Sequence, residues 1–271
     1  MKMRLISAGV GIVIAISVIV FGEMNSIVIA IAASVVSTII AGEYLSARKL
    51  HKEYCLFIPS LIFAFLIPIL SYTAVGFIPA YLFILYICII SVLCYKTINV
   101  GDILFTVAGV YLMSMSMAMF AIRSCAENRF AAFWVIFILG VPWIADSGAF
   151  FIGRSFGKHK LAPEISPKKT IEGAVGGVLC ATIVPLLIGL VFQLIYGNVT
   201  INYGILPLIG FVNALISILG DLLFSVIKRG CGIKDYGTIM PGHGGLLDRF
   251  DSVILCVPVV YFISHYVTII A

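Results

Sequence analysis

Apolar residues in this chain fall in long unbroken runs, separated by short polar segments. Nine runs stand out, near positions 5–22, 25–45, 54–72, 74–95, 102–122, 131–152, 173–196, 203–227 and 252–270. A helix needs about 20 mostly apolar residues to cross a hydrocarbon core about 30 Å thick. The runs are continuous, with none of the in-out alternation of a membrane barrel. The pattern therefore predicts an all-α, polytopic integral membrane protein with about nine transmembrane helices. Lys2 and Arg4 precede the first run, but no small-residue cleavage site follows before Glu23. That run is expected to be a retained anchor.

Composition agrees. Of 271 residues, 62% are hydrophobic and 11% charged, and the mean hydropathy is +1.19. A soluble domain is about half apolar and roughly a quarter charged, so there is too little charge here to coat a surface in water. Positive loops stay in the cytoplasm. With the N-terminus inside, all but two of the 17 Lys and Arg residues fall on the inner side, Arg123 and Arg129 being the exceptions. The cytoplasmic N-terminus follows, and with nine spans the C-terminus lies outside. The net charge of +5 is then a product of topology and phosphate binding, with no nucleic-acid partner implied. The seven cysteines are scattered without a CxxC pair and read as small packing residues.

Polar residues divide the chain into two parts. Residues 1–130 carry short loops and bland spans, suited to anchoring and packing. Glu43 and Asp102 sit near span ends and read as packing or interfacial residues, and Met113–Met119 reads as adaptable packing. Residues 131–271 hold two long cytoplasmic loops, 153–172 and 228–251, rich in Gly, Pro, Lys and Arg, and carboxylates appear inside apolar runs. Ionisable groups within a membrane are costly and point to function.

Asp221 and Ser225 are four apart and share a helix face. Asp221 lies about two turns, on the order of 10 Å, before Lys228, just inside the membrane. Asp248 and Asp251 are three apart at the start of the last span. The eighth and ninth spans are joined by a compact loop, so they are expected to be antiparallel neighbours bringing Asp221 towards Asp248 and Asp251. Carboxylates so placed repel one another unless a cation is present, and Mg2+ suits carboxylates from two helices with phosphates and water completing its shell. Lys228, Arg229, Lys234 and Arg249 surround that point as phosphate ligands, with His243 set between glycines. Gly244 and Gly245, like Gly242, let backbone N–H groups approach an anion. Further upstream, Asp146 is a carboxylate inside the sixth span. Lys168, Lys169 and Thr170 precede Gly173, Gly176 and Gly177, an arrangement suited to a phosphate near a helix start with glycines for close approach. No Walker loop is present, and no Cys or His partners sit at zinc spacing.

Two segments carry a resemblance. The first is Ser225-x2-Lys228-Arg229-x4-Lys234-Asp235-x-Gly237-x3-Pro241-x-His243-Gly244-Gly245-x2-Asp248-Arg249-x-Asp251. The second combines Asp146-Ser-Gly with Gly153-Arg154, Gly157-Lys158 and Ser166-Pro-Lys-Lys-Thr170-x-Glu172-Gly173. Together, over about residues 140–251, they resemble the phosphatidate cytidylyltransferases. The resemblance implies a Mg2+-dependent enzyme, with K+ as a second cation. It implies transfer of CMP from CTP to phosphatidic acid, giving CDP-diacylglycerol and pyrophosphate in phospholipid biosynthesis. Asp221 and Asp248 match metal-binding positions, Asp146 and Asp251 are further site carboxylates, and Lys228 belongs to the catalytic group. The remaining matched residues (Lys168, Lys169, Thr170, Ser225, Arg229, Lys234, His243, Gly244, Gly245 and Arg249) are expected at substrate phosphates. The site then faces the cytoplasm from the plasma membrane, and a homodimer is compatible with it. Phe224 departs from the pattern, standing where many members carry Glu.

Two rival readings use the same residues. Another CTP-dependent lipid enzyme, a polyprenol kinase or an ether-lipid cytidylyltransferase, shares the phosphate clamps and differs in acceptor. An ion-coupled transporter uses intramembrane Asp residues, but its sites belong near mid-membrane in both halves, whereas the polar cluster here occupies one half.

Overall fold

Each apolar run becomes a helix, because a backbone in hydrocarbon must satisfy its hydrogen bonds internally. The computed structural model describes residues 2–71, 73, 76, 78–126, 128–240 and 244–271, leaving aside the side chains of 2–8 and 128. Among these are nine α-helices: α1 (Lys2–Met24), α2 (Ile27–Ala47), α3 (Tyr54–Leu70), α4 (Ile78–Leu93), α5 (Val100–Cys125), α6 (Ala131–Phe156), α7 (Ile171–Tyr196), α8 (Leu206–Gly230) and α9 (Leu247–Tyr266). The only sheet among the described residues is a hairpin of β1 (Lys160–Ala162) and β2 (Ser166–Thr170), pairing Lys160 with Thr170 and Ala162 with Ser166. The protein is thus all-α. Helices α2, α5, α6, α7 and α8 are long and apolar enough to cross a membrane, and α3, α4 and Gly9–Met24 are shorter apolar helices.

The chain forms two compact units, Met1–Ala131 with Cys231–Arg249, and Ala132–Gly230 with Phe250–Ala271. In the first, α2, α3 and α5 pack together around Ile40, Leu56, Phe63, Val110, Met113 and Met117, all at most 3% exposed. Tyr44 stacks on Phe105 at 4.2 Å, with its ring lying over Gly109 where a larger residue would clash. Arg48 at the end of α2 pairs with Asp102 at the start of α5, Nε to Oδ1 at 2.5 Å. Both Met113 and Met117 are packing residues in this core, and Asp102 is an anchor between helices.

In the second unit the decisive feature is a run of small residues on α7. Gly173, Gly177, Ala181, Pro185 and Gly189 recur every four residues and are buried. Val175, Leu179, Ile183, Leu187 and Val191 occupy the opposite face, 50–57% exposed. Large apolar side chains outside and small ones inside are what a helix in lipid requires, because its neighbours are won by close backbone approach. On α6, Ala145, Ala149 and Gly153 repeat at the same spacing. A β-carbon added to Gly177 would lie 2.6 Å from the Ala145 carbonyl oxygen, and one added to Gly173 2.6 Å from that of Ala149. Gly210 of α8 lies against Ala181 in the same way. A core of Phe133, Trp134 and Phe137 on α6 meets Phe192 of α7, with Phe133 edge-on to Phe192 at 5.5 Å. The far end is closed by Thr200 and Ala271, which exchange backbone hydrogen bonds of 2.9 and 3.1 Å.

Candidate functional site

Helix α8 carries the polar groups of the second unit on one stripe. Asn213, Ser217, Asp221 and Ser225 follow one another at four-residue intervals and Lys228 closes the row, so all lie on one face. Ser225 Oγ donates to Asp221 Oδ1 at 3.2 Å. The stripe meets carboxylates from two other helices. Ser217 Oγ donates to Asp146 Oδ1 of α6 at 3.3 Å, and Ser252 Oγ of α9 donates to Asp146 Oδ2 at 2.8 Å. Asp146 therefore ties α6, α8 and α9 together. On α9, Asp251 is 7% exposed and faces Lys228, which is 8% exposed, with Nζ 3.5 Å from Asp251 Oδ2. Gly220 makes this approach of α8 and α9 attainable, since a β-carbon there would lie 2.8 Å from the Asp251 carbonyl oxygen. Cys256 Sγ reaches the Asn213 carbonyl at 3.3 Å further along. These contacts climb α9 as they descend α8, so the two helices run antiparallel.

The hairpin supplies three of the cations and α6 the fourth, Arg154. Lys169 Nζ lies 2.6 Å from Asp221 Oδ2, and the two side chains are 22% and 27% exposed. Beside this pair opens a cavity of about 490 Å³ lined by Arg154, Lys160, Lys168, Lys169, Asp146 and Asp221, with Thr170 and the α6–α7 glycines at its wall. Four cationic side chains over two carboxylates make a pocket that attracts an anion of high charge. Asp146, Asp221 and Asp251 feel one another's charge. Lys169 faces Asp221 and Lys228 faces Asp251 across this cluster.

Such a donor set, oxygen throughout, has the chemistry of a hard cation such as Mg2+. Among the described residues no three His, Cys, Asp or Glu side chains are grouped to hold a metal by themselves. The fit is to an ion held by one or two carboxylates with the rest of its shell from elsewhere, the usual habit of Mg2+.

The glycines of this region pack α7 against α6, and Gly173 and Gly177 also line the cavity. Each of Gly173, Gly176 and Gly177 faces α6: Gly176 against Ile152, the others against carbonyls of α6. Thr170 is the N-cap of α7, its Oγ accepting from Gly173 N–H at 3.2 Å, and it is wedged against Gly153 and Gly157. Glu172 holds the root of the hairpin. Its carboxylate accepts from the backbone N–H groups of Lys158 and His159 at 3.1–3.2 Å and lies 2.6 Å from His159 Nδ1.

The segment 231–249 belongs to the first unit. Asp248 Oδ2 accepts from Tyr236 N–H at 2.9 Å and Gly245 N–H at 3.0 Å. The Gly245 N–H expected to meet phosphate is thus engaged inside the loop, and Gly245 is buried. Gly244 has a φ of +86°, a conformation L side chains rarely adopt, and pairs with Met240. Lys234, Arg229 and Arg249 are exposed. His243 lies outside the described residues. Burial raises the Cys231 thiol above its ordinary value, with Arg48 pulling the other way.

Against this geometry, the model of the cytidylyltransferase family matches residues 2–267. The chain belongs to the cytidylyltransferase family. Within this family, it is similar to the phosphatidate cytidylyltransferase of Staphylococcus saprophyticus, 40% identical over 167 residues, which is 61% of this chain and 62% of the relative. The phosphatidate cytidylyltransferase of Bacillus subtilis is 39% identical over 174 residues, 64% of this chain and 62% of the relative. That of Staphylococcus haemolyticus is 44% identical over 125 residues, 46% of each chain. These matches span less than two thirds of each relative's length. For this family member, Phe224 is 1% exposed and packs as an apolar core residue, so no carboxylate is needed at that position to build α8. Arg154 and Lys160 line the cavity although neither stood among the expected phosphate ligands. Their signal was in the sequence, as basic residues of the 153–172 loop, but topology alone explained them.

Proposed function

We propose that this chain transfers CMP from CTP to phosphatidic acid, giving CDP-diacylglycerol and pyrophosphate. The observation that carries the reading is the cavity between α6, α7, α8 and the hairpin, where Arg154, Lys160, Lys168 and Lys169 face Asp146 and Asp221. Membership of the cytidylyltransferase family and the names of the relatives support the choice of nucleotide and acceptor.

Both substrates are highly anionic, so charge neutralisation is the main task. An oxygen of the lipid phosphate attacks the α-phosphorus of CTP, and the bond to the oxygen bridging to the β-phosphate breaks. Pyrophosphate leaves with that electron pair. A phosphate monoester has a second pKa of about 6, so the attacking oxygen is already anionic near neutral pH and no strong base is required. Lys168, Lys169, Arg154 and Lys160 hold the phosphates and align the in-line displacement. Arg154 offers a two-pronged grip and the lysines point charges. Ser217 and Ser252 fix the orientation of Asp146, and Ser225 that of Asp221. Asp221 and Asp248 are the residues that would hold Mg2+, which when bound would supply charge neutralisation at the phosphates and the departing pyrophosphate, with K+ as a second cation.

Nine spans, a cytoplasmic N-terminus and a site opening to the cytoplasm at the inner membrane are part of the proposal, supported by the placement of Lys and Arg along the sequence. A soluble nucleotide and a lipid headgroup meet only at such a boundary. The test is incubation with phosphatidate and CTP labelled with 32P at either the α- or the γ-position. Cytidylyl transfer puts α-label, and no γ-label, into the lipid. γ-Label in the lipid would instead mark a kinase, and label in neither would refute the proposal.

A further inference from the structure

Glu43 lies on α2, some 200 positions before the 231–249 segment, and is 6% exposed. Its carboxylate accepts two backbone hydrogen bonds, from Leu246 N–H to Oε1 at 3.0 Å and from Leu247 N–H to Oε2 at 2.7 Å. Those N–H groups belong to the start of α9, where four donors have no partner within the helix. The partial positive charge there favours an anion. The carboxylate is enclosed by glycines. A β-carbon on Gly245 would lie 2.7 Å from Glu43 Oε2, and one on Gly237 would overlap Oε1. The glycines at 237 and 245 therefore leave a socket that Glu43 fills. The same turn places Asp248, whose Oδ2 takes the N–H groups of Tyr236 and Gly245. Glu43 and Asp248 thus hold the two sides of one backbone turn, Glu43 through residues 246 and 247, Asp248 through residues 236 and 245.

We infer that Glu43 is a positioning residue for the reaction: seated in the Gly237–Gly245 socket, it fixes the 231–249 segment and with it the orientation of Asp248. This rests on the proposed function for its catalytic consequence, while the clamp itself is a matter of geometry within one unit. A membrane-spanning helix that supplies only anchoring has no need of a buried carboxylate, which is costly in an apolar setting.

The test compares wild type with Glu43→Gln and Gly237→Ala. Gln keeps the shape, but one N–H donor then faces an amide N–H2. Gly237→Ala pushes on the carboxylate and leaves α2 unaltered. Two readouts are taken in detergent micelles. One is the rate of tryptic cutting after Lys234, measured without metal or substrate. The other is the Mg2+ concentration giving half-maximal cytidylyl transfer, which loss of folded protein does not shift. Loss of a hydrogen bond to a charged group is worth on the order of tenfold or more. Cutting after Lys234 is expected to quicken, and half-saturating Mg2+ to rise, by about that factor in both variants. Unchanged cutting and unchanged half-saturation in either folded variant would overturn the inference. If wild type transferred no cytidylyl group, the functional reading would fall and the tryptic comparison would still decide the clamp.

Discussion

Replacing Gly177 by Ala is the smallest change that tests how the α6–α7 approach builds the pocket. A β-carbon at 177 would lie 2.6 Å from the Ala145 carbonyl oxygen and 3.0 Å from Ala149 Cβ. Ordinary contact begins at 3.4 Å. The oxygen is backbone and has no rotamer to escape into, so the helices must part locally by about 0.8 Å, the difference between 3.4 and 2.6 Å. Overpacking of this kind costs about 1–3 kcal/mol. It acts one residue from Asp146, and a misplacement near 1 Å can cost about 100-fold in rate. Gly140→Ala, on α6, is the control: a β-carbon there meets only Ile136 Cγ2 at 4.0 Å. A helical Gly to Ala change without a clash gains up to about 1 kcal/mol. The two tryptophans of the chain, Trp134 and Trp143, are both on α6, so intrinsic fluorescence during heating in micelles reports on that helix. Gly177→Ala is expected to lower the melting temperature and cut cytidylyl transfer by about 10- to 100-fold, while Gly140→Ala keeps or raises both. Equal melting and equal turnover in the two variants would refute the claim that close helix approach sets the site.

Three further outcomes follow from the same geometry. Lys228→Met alone leaves Asp251 buried without its ion partner and is expected to destabilise by about 3–5 kcal/mol, whereas Lys228→Met with Asp251→Asn recovers most of that loss in a thermal double-mutant cycle. Arg154→Ala and Lys168→Ala each remove a cation at the cavity wall. KM for CTP or phosphatidate is expected to rise about tenfold or more, while melting stays within a few degrees, since both side chains are exposed; an unchanged KM would place the phosphates elsewhere. Chelation of divalent ions is expected to abolish label transfer and readdition of Mg2+ to restore it, and transfer persisting in the chelator would remove the metal from the account.

How much of this was legible in the sequence depends on which physics wrote each feature. The helices were legible because crossing hydrocarbon demands about 20 consecutive apolar residues, a signal that needs no knowledge of neighbours. The antiparallel approach of α8 and α9 at Gly220 and Asp251 followed from a short connection. The β1–β2 hairpin was not legible: Lys160–Thr170 is polar, holds Pro163 and Pro167, and has no alternation of apolar residues. The glycines of α7 were visible but their partner was not. A glycine needed by a phosphate and a glycine needed by a neighbouring helix look the same in one dimension, and only Ala145 and Ala149 at matching spacing distinguished them. Glu43 was read as packing or interfacial because its partners are backbone N–H groups some 200 positions away, and backbone leaves no trace in side-chain pattern. Asp248 had the opposite history, since its spacing from Asp251 was plain, while its bonds to Tyr236 and Gly245 depend on a turn that sequence alone does not draw.

The proposed cytidylyl transfer takes place at the Asp146–Asp221–Lys169 cluster. Its most direct test is Asp221→Asn, purified in micelles, with lipid product quantified by mass spectrometry after incubation with CTP, Mg2+ and phosphatidate. CDP-diacylglycerol is expected to fall at least about 100-fold while the tryptophan-monitored melting temperature shifts by no more than a few degrees. Near wild-type product formation by the folded variant would contradict it.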